Sequence, residues 1–199
     1  MKAIIFDFDG VIHNTFNLAY GISLKVLDKK ITEEQYRDFF NGNIFERAEI
    51  DEENEREFFK LQNEAFKYLK IEENIKNNLE KLAEKYSLFI ISSNQEIALD
   101  IYFKNNNFVH IFKEVLGSEA HKSKVEKFKY LFKKYDLRLA NCLFVTDTLG
   151  DILEGHKAKV RSIAVDFGFH PRERLKKGEP FKIVSSFDEI LEVIKDIWK

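Results

Sequence analysis

Two aspartates follow a short apolar run near the start of the chain, MKAIIFDFDGV. The run Ala3–Phe6 is typical of a buried strand, and Asp7 and Asp9 come directly after it, on either side of Phe8. Residues two apart on an extended segment face the same way, so both carboxylates can reach one ligand. An Asp-Gly pair after an apolar run also marks ordinary turns, so this segment alone leaves both interpretations open.

Polar side chains also follow two later apolar runs. They are Ser92, Ser93 and Asn94 after residues 88–91, and Thr146, Asp147, Thr148, Gly150 and Asp151 after residues 143–145. Ligands of an open parallel α/β sheet bind at the carboxyl ends of its strands, so we expect these groups to share one rim with Asp7 and Asp9. At least three carboxylates on one rim need a counter-charge, and oxygen ligands favour Mg²⁺ over zinc.

A lysine at a predicted helix start offers a second positive charge. Ser123 is a candidate N-cap, which puts Lys124 at the first helical position, where a cation opposes the helix dipole. Lys124 either points at a phosphate or carboxylate on the rim or is a flexible surface lysine. Lys122, two residues earlier, is the competing candidate for the rim.

The elements that would position these residues alternate along the chain. Buried strands are predicted at residues 3–6, 88–91, 143–145 and 162–165, edge strands at 112–116 and 181–184, and helices at 72–85 and 123–135. Capping boxes are predicted at Ser123-x-x-Glu126 and Ser186-x-x-Glu189. Continuous apolar strands alternating with helices predict an α/β fold, a Rossmann-like parallel sheet with helices on both faces.

The segment from residue 14 to residue 78 breaks this alternation, because it contains no strand pattern. Helices are predicted near residues 16–28, from a capping box Thr32-x-x-Gln35, and over residues 52–70. We interpret residues 14–78 as an inserted helical cap subdomain. Residues 1–13 and 79–199 would then form the α/β core domain.

Composition excludes several classes of protein. The chain has 199 residues, a formal net charge of −2 and one cysteine, Cys142. We therefore expect no nucleic-acid partner, no internal disulfide and no cysteine-based zinc site. No apolar run approaches the roughly 20 residues that span a bilayer, and the N-terminus lacks a signal pattern, so no membrane association and a cytoplasmic location are expected.

The four groups of residues together resemble the motifs of the haloacid dehalogenase superfamily. The matching segments, in the order of the family, are Asp7-Phe8-Asp9-Gly10-Val11, Ser92 after its strand, Lys124 at a helix start, and Thr146-Asp147-Thr148-Leu149-Gly150-Asp151. The inserted helices resemble the C1-type cap of the family. The chain is most similar to phosphoglycolate-phosphatase-like and phosphomutase-like members.

The resemblance implies a Mg²⁺-dependent phosphatase acting on a small phosphorylated metabolite through an aspartyl-phosphate. Asp7 would be the nucleophile and Asp9 the general acid and base. Halide-removing members lack an aspartate at the second position, so Asp9 favours phosphoryl transfer over halide removal. Asp7, the backbone carbonyl of Asp9 and Asp147 would hold the metal, and Asp151 would either bind it directly or lie just behind its ligands. Ser92 and Lys124, with Ser93 and Asn94 beside Ser92, would bind the phosphate.

Two other functions stay open at this point. A phosphomutase on the same scaffold would return the phosphoryl group to substrate, and a catalytically silent interaction protein is the less favoured alternative because no motif residue is missing. Neither the substrate nor the oligomeric state follows from the sequence. Candidates for specificity are Asn14, Tyr20, Gly42, Asn43 and Arg47, while His13 and His170 either border the site or only pack.

Overall fold

A six-stranded parallel sheet forms the centre of the fold in the computed structural model, which describes residues 1–27, 29–47 and 51–198. The strands are β1 (Ala3–Phe6), β2 (Ser87–Ile91), β3 (Phe112–Leu116), β4 (Cys142–Thr146), β5 (Arg161–Val165) and β6 (Lys182–Val184). Their spatial order is β3-β2-β1-β4-β5-β6, and all neighbours pair in parallel. The predicted buried strands, edge strands and α/β class are confirmed.

Ten α-helices connect and cover the strands in the described part of the chain. They are α1 (Phe16–Val26), α2 (Glu33–Asp38), α3 (Ile44–Arg47), α4 (Glu52–Phe66), α5 (Glu73–Ala83), α6 (Glu96–Asn105), α7 (Lys124–Tyr135), α8 (Leu149–Lys157), α9 (Arg172–Leu175) and α10 (Phe187–Ile197). Helices α1 and α4 end earlier than predicted. Of the predicted α1 segment, Asp28 lies outside the described residues.

Two apolar layers hold the sheet between its helices. Ile4 and Phe6 of β1 pack in one layer with residues of α5, α6 and α10, and Ala3 and Ile5 pack in the other with Phe128 of α7. Successive side chains of a strand point to opposite faces, so β1 fills both layers in turn. Both faces are covered, which explains why the apolar run is continuous rather than alternating.

The three predicted capping boxes, at α2, α7 and α10, have different outcomes in the structure. Thr32 and Gln35 form the complete predicted capping box at α2. At α10, Ser186 Oγ accepts the Glu189 N–H at 3.2 Å, but the Glu189 carboxylate accepts from the N–H of Ser185 at 3.1 Å. In a complete capping box the Glu189 carboxylate would accept from the N–H of Ser186. The predicted box at α10 is therefore only half formed, because the carboxylate binds the preceding residue instead.

The start of α7 is as predicted, but its capping box is wrong. Ser123 Oγ accepts from the N–H of Val125 at 3.2 Å, two residues on, rather than from Glu126. Glu126 instead pairs with Lys129 at 2.6 Å on the exposed face of the helix. Lys124 is nevertheless the first helical residue, as the N-cap position of Ser123 requires.

Helices α1 to α4 lie over the carboxyl end of the sheet. Phe16, Ala19 and Tyr36 of these helices share an apolar cluster with Phe169, which follows β5. The predicted boundary between residues 78 and 79 falls inside α5, a helix that packs on α10 and β2. We propose that the cap ends before Glu73. No helix within the described ranges is long and apolar enough to cross a membrane.

Candidate active site

Asp7 and Asp9 leave the carboxyl end of β1, which lies between β2 and β4. The N–H of Asp7 donates to the carbonyl of Val145 at 2.8 Å, so pairing with β4 continues as far as Asp7. The chain then turns at Gly10, whose φ of +67° is in the left-handed region. A Cβ on Gly10 would lie 1.7 Å from Asp147 Oδ2, so this position requires glycine for both its φ and its contact.

Three buried carboxylates meet at this rim. Asp7, Asp147 and Asp151 each offer an oxygen atom, and these atoms lie within 4.8 Å of one another. Asp147 Oδ2 accepts the N–H of Phe169 at 2.6 Å, whereas Asp147 Oδ1 is buried and has no hydrogen-bond partner among the described residues. A buried oxygen left without a partner is costly. This set of acidic oxygens therefore fits a hard divalent cation.

Lys124 places its ammonium group between two of these carboxylates. Its Nζ atom lies 2.9 Å from Asp7 Oδ2 and 2.5 Å from Asp151 Oδ2, and its side chain is 4% exposed. The Glu154 carboxylate accepts from the Lys124 backbone N–H at 2.9 Å and holds the start of α7 in place. Lys122 pairs with Glu55 of α4 at 3.2 Å on the surface. The structure thus brings Lys124, and not Lys122, to the rim.

Burial and charge act in opposite directions on the pKa values of these groups. Burial raises the pKa of Asp7 well above its usual range, and the charge of Lys124 offsets only part of this. Burial also raises the pKa of Asp147 against the hydrogen bond from Phe169. For Asp151, burial acts to raise the pKa, but the charge of Lys124 and the hydrogen bonds of the carboxylate with Asp7, Lys124 and Thr146 together outweigh burial and lower the pKa. One lysine does not compensate all three carboxylates, so a further cation would favour their charged forms.

Asp9 is not part of this carboxylate cluster. The hydroxyl of Thr15 donates to Asp9 Oδ1 at 2.5 Å. Burial raises the pKa of Asp9 to about 6, although the hydrogen bond from Thr15 acts to lower it. A carboxyl group that titrates near neutrality is suited to give and take protons.

The three polar residues after β2, Ser92, Ser93 and Asn94, have different surroundings. Ser92 is fully buried, and its Oγ accepts the N–H of Asn94 at 3.1 Å. Ser93 lines the open space in front of the carboxylates, and Asn94 Oδ1 accepts from Gln62 Nε2 of α4 at 3.0 Å. Lys127 of α7 donates to the carbonyl oxygen of Ser92. Ser93 therefore lies closer to the opening than Ser92, and the phosphate-binding roles of both stay predictions.

Two adjoining cavities open on this rim. The carboxylate pocket is lined by Asp7, Asp9, Phe40, Gly42, Asn43, Ile44, Ser93, Lys124, Asp147, Thr148, Asp151, Glu154 and Phe169. The cap pocket lies beside it and shares Asp9, Phe40, Ile44, Ser93 and Phe169 with it. Of the predicted specificity residues, Gly42 and Asn43 therefore reach the site.

The other predicted specificity residues have different surroundings. The Tyr20 hydroxyl donates to the carbonyl of Ile31 at 2.6 Å, and Asn14 Nδ2 donates to the carbonyl of Phe167 at 3.5 Å. Neither Tyr20 nor Asn14 is among the residues that line the two pockets. The Arg47 side chain lies outside the described part of the structure.

Sequence reasoning missed three residues that support the site. Thr15 holds Asp9, Lys127 holds the loop after β2, and Gln62 holds Asn94. Thr15 immediately precedes α1, which is a usual place for a polar side chain. For the others the sequence contains no local signal, because their partners lie far away along the chain. His170, which the sequence left as either bordering the site or only packing, accepts the N–H of Leu149 at the start of α8.

A family model described as "Haloacid dehalogenase-like hydrolase" matches residues 4–165. This chain belongs to that family. A phosphoglycolate phosphatase from Haemophilus influenzae is 24% identical over 77% of this chain and 70% of its own length. A provisionally named pyrophosphatase from Caldanaerobacter subterraneus subsp. tengcongensis is 26% identical over 98% of this chain and 95% of its own length.

Solved structures show the same fold as this haloacid dehalogenase-like hydrolase. A haloacid dehalogenase-like family protein from Streptococcus pneumoniae superposes with a TM-score of 0.78 at 20% identity, covering 98% of each chain. A hydrolase from Pseudomonas syringae gives a TM-score of 0.82 at 15% identity, covering 99% of each chain. The predictions of the superfamily, of its fold and of a phosphatase enzyme are confirmed.

Proposed function

We propose that this phosphatase is Mg²⁺-dependent and hydrolyses a small phosphomonoester through an aspartyl-phosphate on Asp7. The observation that supports this most directly is the position of Asp7 at the end of β1. Its carboxylate contacts Lys124 at 2.9 Å and lies within 4.8 Å of Asp147 and Asp151. Asp9, two residues on, lines the same carboxylate pocket and is the proposed proton carrier.

The proposed reaction has two steps. A carboxylate oxygen of Asp7 attacks phosphorus, and the bond from phosphorus to the alcohol oxygen breaks while Asp9 gives that oxygen its proton. Water then attacks the phosphorus of the aspartyl-phosphate and gives a proton to Asp9, while the bond from phosphorus to the Asp7 carboxylate oxygen breaks. Inorganic phosphate leaves, and both aspartates return to their starting states.

The carboxylates are the proposed ligands of Mg²⁺. Asp7, Asp147, Asp151 and the backbone carbonyl of Asp9 would hold the ion, and the unpartnered Asp147 Oδ1 is the observation that fits this role best. When bound, the ion neutralises charge on the phosphate and keeps the nucleophile ionised. Lys124 and Ser92, with Ser93 and Asn94, are the proposed contacts of the phosphate oxygens.

Hydrolysis of 4-nitrophenyl phosphate tests the metal and the nucleophile together. We expect turnover with Mg²⁺, none in excess EDTA, and recovery when Mg²⁺ is restored. Asp7→Asn should leave essentially no turnover, whereas Asp100→Asn, on the exposed face of α6, is the matched control and should keep it. Full activity in excess EDTA would contradict the metal assignment. Strong activation by a sugar bisphosphate would favour a phosphomutase instead.

A further inference from the structure

The cap pocket is mainly aromatic. Its lining includes the rings of Tyr36, Phe39, Phe40, Phe45, Phe58 and Phe59. Its cavity volume is about 130 Å³, close to the roughly 150 Å³ of an engineered apolar cavity that binds benzene. The pocket is therefore large enough for an organic group.

The cap pocket continues directly from the carboxylate pocket. Asp9 and Ser93 belong to the walls of both, as do Phe40 and Phe169, whose rings meet edge to face at 5.0 Å. An ester with its phosphorus beside Asp7 has its leaving oxygen near Asp9 in the proposed mechanism. The organic part of that ester would then extend into the cap pocket.

The charges around the cap pocket disfavour an anionic organic group. Among the lining residues that the structure describes, the one cationic side chain is Lys122, which is 61% exposed and pairs with Glu55 at 3.2 Å. A substrate carboxylate would leave water without gaining an unpaired cation among these described residues, and such a transfer is unfavourable. The described lining is therefore a poor match for glycolate, the organic part of phosphoglycolate.

Two residues in the lining of the cap pocket, Gln62 and Asn94, each have a buried polar atom without a hydrogen-bond partner among the described residues: the acceptor Gln62 Oε1 and the donor Asn94 Nδ2. Gln62 is 2% exposed, and its Nε2 atom donates to Asn94 Oδ1 at 3.0 Å. Its Oε1 atom is buried and accepts no hydrogen bond from any described residue. A buried acceptor of this kind gains from a ligand that donates an O–H or N–H to it.

We propose that the organic part of the substrate is an uncharged, mainly apolar ring that carries a hydrogen-bond donor. The ring packs among the cap aromatics, and the donor binds Gln62 Oε1. This inference rests on the proposed phosphatase mechanism, because it takes the phosphate group to be bound at Asp7. It makes Gln62 and the rings of α4 the residues that select the substrate.

Four alkyl phosphates with similar leaving groups test the preference. Ethyl phosphate and benzyl phosphate differ in the ring, and 3-hydroxybenzyl phosphate differs from 3-methoxybenzyl phosphate in the donor. We expect kcat/KM to rise at least about tenfold from ethyl to benzyl phosphate. The hydroxyl compound should exceed its methoxy partner by about threefold to tenfold, since a hydrogen bond contributes about 0.5–1.5 kcal/mol. Phosphoglycolate should be hydrolysed no better than ethyl phosphate.

Three variants locate the preference in the cap pocket. Gln62→Leu should remove the difference between the hydroxy and methoxy compounds, mostly through KM. Phe59→Ala should lower kcat/KM for benzyl phosphate about tenfold more than for ethyl phosphate. Lys60→Ala, on the exposed face of α4 where Lys60 pairs with Glu57, is the matched control and should change neither ratio. If Gln62→Leu does not fold, the hydroxy-to-methoxy ratio of the unmodified protein decides.

Binding of phosphonates separates this inference from the proposed function. Benzylphosphonate and ethylphosphonate, which are not hydrolysed, are titrated into the unmodified protein by calorimetry. Hydrolysis of all esters without a ring preference would overturn the inference and leave the phosphatase mechanism standing. Preferential binding of benzylphosphonate without hydrolysis of any ester would overturn the mechanism and support the pocket assignment. Neither hydrolysis nor selective binding would overturn both.

Discussion

His170 joins the cap to the core through the carbonyl of Arg37. The His170 Nε2 atom donates to that carbonyl, at the last turn of α2, across 2.8 Å. Its Nδ1 atom accepts the N–H of Leu149, the first residue of α8, at 2.9 Å. The Leu149 N–H can only donate, so Nδ1 carries no proton and the ring is neutral. Protonation of His170 would break the contact with α8.

This arrangement predicts a specific dependence of stability on pH. Burial lowers the pKa of His170 from 6.5 to about 4, so between these values the unfolded chain binds the proton more readily than the folded one. The free energy of unfolding should therefore fall as pH decreases through this window, by about 3 kcal/mol from this group. Urea unfolding at pH 7 and pH 4 gives the free energy of unfolding of the wild type and of His170→Gln, whose side chain stays neutral. The decrease between the two pH values should be larger in the wild type. Parallel pH dependence in the two proteins would contradict the assignment.

Gly150→Ala should obstruct closure of the cap. A Cβ on Gly150, in the first turn of α8, would lie 2.2 Å from the carbonyl oxygen of Gly42 in the cap. The core should stay folded, because alanine is the better helix former, while kcat for alkyl phosphates falls about tenfold or more. Gly21→Ala is the matched control, since a Cβ at Gly21 has no neighbour within 4 Å. It should keep activity and raise the free energy of unfolding by up to about 1 kcal/mol. Equal activity of both variants would contradict this prediction.

Lys124→Ala should cost far more activity than Lys122→Ala. The Lys124 ammonium contacts Asp7 and Asp151 in the buried site, whereas Lys122 contacts Glu55 on the surface. A fixed cation of this kind typically contributes about 10²–10³-fold to the rate, and an exposed ion pair contributes little. Steady-state hydrolysis of 4-nitrophenyl phosphate gives the ranking, with thermal melts to confirm that both variants fold. The reverse ranking would show that the wrong lysine has been assigned.

Asp9→Asn should affect esters in proportion to how poor their leaving group is. An alkoxide needs the proton from Asp9, whereas nitrophenolate leaves without it, and such assistance is worth about 10²–10⁴-fold. Formation of the phosphoenzyme should therefore slow by that factor with an alkyl phosphate and much less with 4-nitrophenyl phosphate. The second step still lacks its base, so nitrophenol release should begin with a burst equal to the enzyme concentration. Equal losses with both esters and no burst would show that Asp9 is not the proton carrier.

The strands and the rim residues could be predicted because their signals are local. The apolar run Ala3–Phe6 is a strand buried on both faces, and Asp7 and Asp9 follow it at the end where parallel sheets bind ligands. The N-cap at Ser123 predicted the start of α7 and hence the inward position of Lys124. The boundary of the cap stays a prediction, because helical periodicity does not show which body a helix packs against.

The sequence by itself determined the sheet, the family motifs and the chemistry that these residue types support. Only the tertiary structure decided the contacts between distant segments, such as Gln62 with Asn94 and His170 with Arg37. The aromatic lining of the cap pocket also depends on the tertiary structure, since its rings come from several helices. Backbone periodicity depends on near neighbours along the chain. Contacts between residues 32 or 133 positions apart depend on how whole elements pack.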